Sequence, residues 1–140
     1  MTRHYLWCWL LVGSTLAGCG GLREEPAGTG AKECVESYYD ALVRKDWPAA
    51  YACLDANSQK HCTPQHFSEL AQSYRRKLGF EPEAAQVRAC EERGTEATAH
   101  VVVTGRAATV SRRYKDTVML RRNDEWRVVL PPNFGQALKR

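Results

Sequence analysis

The sequence predicts an α+β domain, with N-terminal helices packed on one face of an antiparallel meander sheet. Apolar residues recur at helical spacing between residues 32 and 78, then switch to alternation after Pro82. A run of helices followed by a run of strands favours segregated layers over βαβ units. Roughly 110 residues follow the N-terminal leader and tether, enough for one domain with its own core.

The chain has 140 residues and opens Met1-Thr2-Arg3-His4, with one fixed positive charge. An apolar run from Tyr5 to Val12 follows, then Gly13-Ser14-Thr15. This is the layout of an export signal. The run is too short to span a membrane, which takes roughly 20 apolar residues. It closes on Leu16-Ala17-Gly18-Cys19, which resembles the bacterial lipobox. That resemblance implies cleavage after residue 18 and lipidation of Cys19. Several acyl chains anchor stably where a single chain holds only marginally. The expected location is therefore the bacterial cell envelope. No Asp follows Cys19, so in a cell with two membranes the expected site is the outer membrane, facing the periplasm. Residues 19–31 are rich in Gly, Glu, Pro and Thr without apolar period and read as a flexible tether.

The full chain carries 20 Lys and Arg against 16 Asp and Glu, and loss of residues 1–18 removes only Arg3, leaving a net charge of +3. So mild a bias fits nearness to anionic lipid without requiring it. Nucleic acid is excluded as a partner, because no basic-aromatic motif is present. Cys8 leaves with the leader and Cys19 takes the lipid, so Cys34, Cys53, Cys62 and Cys90 remain. An even count in an oxidising compartment reads as two disulfides, with three connectivities open. The chain order favours Cys53–Cys62 across a short connector and Cys34–Cys90 between the first helix and the first strand. Alternation puts Cys90 opposite Val87, which counts against the second bridge unless a bulge intervenes. No Cys-x-x-Cys pair occurs, so neither a metal nor another cofactor is expected.

The first helix covers residues 32–45, with Val35, Tyr38, Tyr39, Leu42 and Val43 on one face. Glu33 and Glu36 lie early and Arg44 and Lys45 late, in accord with the helix dipole. Asp46 caps a second helix with Pro48 in its first turn, a stripe of Trp47, Ala50, Tyr51 and Leu54, and an end at Asn57. Thr63-Pro64 starts a third. Its apolar face is Phe67, Leu70, Ala71, Tyr74 and Leu78, and Cys62 and Phe67 stand at the staple positions. Arg75, Arg76 and Lys77 fill its last turn, and Gly79 supplies the left-handed stop.

The first strand covers 84–92, with Val87 and Ala89 on one side and Arg88 and Cys90 on the other. Arg93-Gly94-Thr95 turns into a strand over 96–104 whose inner face is Ala97, Ala99, Val101 and Val103. Gly105 to Ser111 reads as a looser connection to a strand over 112–122. Asn123-Asp124 then turns into a last strand with Trp126, Val128 and Leu130 inward. Pro131-Pro132 ends the sheet, since neither can donate to a ladder.

The stretches Cys34-Val35-Glu36-Ser37-Tyr38-Tyr39-Asp40-Ala41-Leu42 and Asp46-Trp47-Pro48-Ala49-Ala50-Tyr51 resemble the opening helices of the nuclear transport factor 2-like superfamily, and more narrowly its small bacterial lipoproteins. Asn123-Asp124-Glu125-Trp126-Arg127-Val128-Val129 resembles its closing hairpin. The resemblance covers about residues 32–131, and the domain is placed over 32–135 with a tail over 136–140. The resemblance implies a curved sheet wrapped on helices, a cone with a pocket, and a possible homodimer through the sheet. Such folds host enzymes, carriers and interaction modules, so function must be argued from the site.

For a pocket, the candidate lining residues are Tyr38, Tyr39, Trp47, Tyr51 and Trp126. A ketosteroid isomerase-like enzyme would need a base in an apolar pocket beside a proton donor. Tyr38, Tyr39, Asp40 and His100 are the available types. Tyr38 and Tyr39 are more simply core aromatics, Asp40 lies beside the stripe, His100 is out of phase with Val101 and Val103, and no inward carboxylate is evident on the last two strands. No catalytic residue is therefore expected. Arg112, Arg113, Arg121 and Arg122 form a candidate basic surface for an anionic partner, or an exposed face that discourages edge pairing. The expectation is a membrane-anchored, non-enzymatic binding or scaffolding module for a protein or small-molecule ligand. Its rival is a carrier or an isomerase- or hydrolase-type enzyme using the cone pocket.

Overall fold

The computed structural model describes residues 28–136. The expected leader (1–18), Cys19, the tether through residue 27 and residues 137–140 of the tail lie outside the described residues.

Helix α1 is Ala31–Arg44, so Ala31 belongs to the helix and not to the tether. It buries Val35, Tyr38, Tyr39 and Leu42. Lys45 ends it in the left-handed region at φ 62°. Helix α2 is Trp47–Ala52, capped by Asp46, whose carboxylate accepts the Ala49 N–H at 3.1 Å.

The next segment departs from the expectation that α2 runs on to Asn57. The chain leaves the helix at Cys53, and Leu54 forms a parallel bridge with Val128. The Asp55 N–H donates to Val128 O at 2.9 Å, and the Val128 N–H donates to Cys53 O at 2.8 Å. Asp55 then caps a separate short helix, α3 (Ala56–His61), by accepting the Ser58 N–H. Leu54 sits at helical spacing from Tyr51, so the local pattern could not reveal a contact made with a strand 74 residues later.

Helix α4 is Pro64–Leu78. Thr63 Oγ1 accepts the His66 N–H at 3.2 Å, and Gly79 closes the helix at φ 70°. Arg75, though in the last turn, is buried. Its guanidinium donates to Leu42 O and Val43 O and pairs with Glu81, tying together the end of α1, α4 and the start of the sheet.

The sheet is an antiparallel meander, ordered β1 (Glu81–Arg93), β2 (Glu96–Ala107), β3 (Val110–Arg122) and β4 (Trp126–Val129). Its helix-facing side supplies Ala97, Ala99, Val101, Val103, Val118, Leu120, Trp126 and Val128 to the core. The segment from Gly105 to Ser111 is not a loose connection. Strands β2 and β3 stay paired to Ala107↔Val110, and Ala108-Thr109 make a tight turn with Ala108 at φ 53°. Gly105 lies where β1 is bulged between Pro82 and Ala84, and a Cβ there would stand 1.9 Å from Glu81 O. A glycine inside a strand marks such a close backbone approach. A second bulge falls between Val87 and Ala89. It resets the alternation, so Val87 and Cys90 both pack against the core. Leu130 lies beyond the last strand but is half-buried.

Candidate functional site

Four tyrosines and one carboxylate meet between the helices and the inner face of β3. The register sets this up. Val118 and Leu120 of β3 are buried, and alternation carries Asp116 and Tyr114 to the same face, opposite Val101 and Val103. Asp116 is thus the inward carboxylate that the sequence reading did not find.

The Tyr39 hydroxyl donates to Asp116 Oδ2 at 2.7 Å, and the Tyr74 hydroxyl donates to the same oxygen at 3.0 Å. Asp116 Oδ1 accepts the Thr117 N–H at 2.9 Å. Tyr38 packs edge-to-face on Tyr39 with ring centroids 5.3 Å apart, and Tyr74 does so with Tyr114 at 6.4 Å. Burial first, then the neighbouring Asp116 charge, pushes the Tyr38, Tyr39 and Tyr74 hydroxyls well above the ordinary tyrosine range. They therefore act as O–H donors at any ordinary pH. The Tyr38 hydroxyl is buried with no hydrogen-bond partner among the described residues.

A cavity of about 130 Å³ opens here, lined by the four tyrosines, Asp116 and Phe134, with Lys77 at its wall. Residues 131–136 close one side. Phe134 stacks on Tyr74 at 5.2 Å and on Phe67 at 5.8 Å. The Gly135 carbonyl accepts from Ser73 Oγ at 2.7 Å and from Lys77 Nζ. Gly135 sits at φ 68°, and a Cβ would lie 2.4 Å from Leu70 O, so only glycine lets the segment lie this close to α4.

Of the candidate lining residues, Tyr38 and Tyr39 reach this cavity, and Trp47, Tyr51 and Trp126 do not. Trp47 lines an outer groove with Arg75, Arg76 and Phe80. The Tyr51 hydroxyl donates to Cys62 O at 2.9 Å, holding the α3–α4 connection. Trp126 donates from Nε1 to Thr29 Oγ1 at 2.6 Å, with Arg122 5.1 Å from its ring centre. Asp40 is exposed and pairs with Arg44 at 3.0 Å. His100 is exposed and contacts Thr117 Oγ1 at 3.2 Å.

The four arginines do not form one patch, because neighbouring strand positions point to opposite faces. Arg113 and Arg121 share the outer parity, and Arg112 and Arg122 share that of Asp116. Arg121 is engaged by Asp55 and Glu96, and Arg122 by Trp126.

All four described cysteines are free thiols, so neither expected bridge is present. The Cys53 thiol turns back to Ala49 O within its own helix at 3.4 Å, and the Cys62 thiol turns to Thr63 O at 3.7 Å. Cys34 donates to Trp126 O at 3.2 Å. Its thiol is pushed up to about 11, by burial first and then by the nearby Cys53. No group of His, Cys, Asp and Glu among the described residues could hold a metal ion.

No family model matches the chain, and no curated protein matches it. Solved structures do. A candidate nuclear transport factor 2-like transpeptidase from Campylobacter jejuni is similar at 13% identity and TM-score 0.56, over 71% of this chain and 96% of that one. SEC-C motif containing proteins from Rhodopseudomonas palustris (14% identity, TM-score 0.53, 69% of this chain and 73% of that one) and Psychrobacter arcticus (10%, 0.57, 78% and 63%) are similar too. At these identities the likeness shows the fold alone, a nuclear transport factor 2-like cone.

Proposed function

We propose that this cone is a ligand-binding module of a lipid-anchored envelope protein, holding a small molecule in the cavity around Asp116 without transforming it. The convergence of Tyr39 and Tyr74 on one carboxylate at the wall of an open aromatic cavity carries the reading. A fold that needed only to be stable would fill such a space with apolar side chains, since a half-buried carboxylate costs free energy to desolvate. Binding sites instead combine an apolar body with a few convergent polar groups. Anchoring rests on the Leu16-Ala17-Gly18-Cys19 motif, with Cys19 as the lipidated residue and the outer membrane as destination where there are two.

A second reading has one observation in its favour. A carboxylate beside buried phenols is the residue pairing that proton-transfer catalysis uses. Against it, Oδ2 is already taken by two hydroxyls, and Asp40 and His100 stand outside the cavity. Native mass spectrometry of the chain purified without added ligand tests the binding reading. A co-purified small molecule, lost on replacing Asp116 by Ala, supports it. A bare chain in both forms, from cells able to lipidate it, removes it.

A further inference from the structure

We infer that the cavity takes a small organic cation, an ammonium group set against Asp116 with tyrosine rings around it; this rests on the reading of the cavity as a ligand site. Three observations carry it. First, Asp116 joins no ion pair among the described residues, although ten such pairs occur elsewhere. Its charge is met only by two phenols and one backbone N–H. A half-buried carboxylate so placed has capacity for a cationic partner.

Second, the walls are aromatic. Tyr38 with Tyr39, and Tyr74 with Tyr114, stand nearly perpendicular, at 89° and 76°. Pairs of rings at right angles present faces from more than one direction, and the negative faces of aromatic rings attract cations. Third, the charge on the lining is asymmetric. Lys77 is the one cation among the described lining residues, and its ammonium is held on the Gly135 carbonyl instead of on Asp116. The size sets the ligand class. An apolar cavity of about 150 Å³ admits benzene, so about 130 Å³ open on one side suits one ring or a short alkyl chain bearing an amine.

The test is calorimetric titration of the full chain with benzylammonium, benzyl alcohol and benzoate. Benzylammonium is expected to bind about tenfold or more tighter than the alcohol, with benzoate weakest. Asp116→Asn should erase that preference and leave the alcohol's affinity in place. His100→Ala, outside the cavity, should keep the preference, and the thermal midpoint of Asp116→Asn read beside it separates loss of charge from loss of fold. Equal binding of amine and alcohol overturns the cation assignment. So does tighter binding of benzoate that Lys77→Gln abolishes; the cavity would then be an anion site, and the ligand-site reading would stand. Binding by none of the three overturns the cation assignment too, and co-purification decides the ligand-site reading separately.

Discussion

The Tyr39 hydroxyl of α1 reaches across the cone to Asp116 of β3 at 2.7 Å, joining residues 77 apart in sequence. The same oxygen receives Tyr74 of α4, so one carboxylate ties both long helices to the sheet. The polar centre of the cavity is thus also a structural fastening, and the two roles can be separated by which partner is removed.

Tyr39→Phe removes one donor and leaves the carboxylate with Tyr74. A hydrogen bond to a charged group is worth about 1.5–3 kcal/mol, and the apolar ring is retained. The expected loss lies at or below the low end of that range, read as a lower urea midpoint at unchanged slope. Asp116→Ala should cost more, because it strands two buried hydroxyls at once. If the two variants cost the same, the shared-acceptor geometry is wrong.

Stability should fall in alkali. Tyr39 and Tyr74 have folded-state values raised above the ordinary 10, so below that value both folded and unfolded chains keep their protons. Above it the unfolded chain releases them first, and the folded state is disfavoured progressively as pH climbs. Urea midpoints should therefore begin to fall above about pH 8.5, where the unfolded thiols release protons that a raised Cys34 keeps, and fall further beyond about pH 10 as the tyrosines follow. Tyr39→Phe should show a shallower drop than the parent. Parallel curves would mean these hydroxyls are not the groups responsible.

The helix starts at Asp46 and Thr63 and the stop at Gly79 were legible from local residues, because a cap is an interaction within four residues. Long-range ones stayed hidden. The break before α3 is made by Val128, and the cavity wall is completed by Phe134, which stacks on a tyrosine sixty residues earlier. Asp116 was legible in principle. Counting back from the inward Leu120 and Val118 places it on the core face, but the flanking Arg112, Arg113 and Lys115 make the stretch look solvent-facing throughout. For Cys90, the bulge after Val87 changes its face, and nothing within the strand announces a bulge.

Gly105 should not tolerate even a methyl group. A Cβ would meet Glu81 O at 1.9 Å and Pro82 Cα at 2.8 Å, both backbone atoms that cannot swing aside. Gly105→Ala must push β1 away from β2 at the bulge, where Glu81 also meets Arg75. The expected cost is about 3 kcal/mol, among the larger single-site effects. Thermal unfolding measures it, and a loss under 1 kcal/mol would mean the strands are not this close.

Arg75→Met tests the clasp that holds α1, α4 and β1 together. The guanidinium is buried and donates to the Val43 carbonyl, which has no other partner among the described residues at the helix end, and to the Leu42 carbonyl, which otherwise accepts only the Lys45 N–H at 3.4 Å. Methionine fills similar space without a donor. The Val43 acceptor then loses its partner and the Leu42 acceptor keeps only Lys45, at about 1–3 kcal/mol in total after relaxation. Amide exchange should quicken most at the last turn of α1 and the first residues of β1. Uniform loss of protection across the domain would instead assign Arg75 to general packing.

The thiols supply the sharpest contrast between sequence expectation and structure. The four free thiols among the described residues should differ in reactivity according to burial and thiol acidity. Cys34, pushed up to about 11 and donating to Trp126 O, and Cys62, buried in the core, should alkylate slowest at pH 8. Cys90, half-buried near the sheet edge, should react faster. Timed iodoacetamide labelling with peptide mapping ranks them, and the same maps run without reductant show any bridges. Should oxidation occur, Cys34 is the expected participant, since it lies near both Cys53 and Cys90. A Cys53–Cys62 bridge would require the two sulfurs to leave the carbonyls they now face, on separate helices, and its recovery would overturn the thiol arrangement seen here.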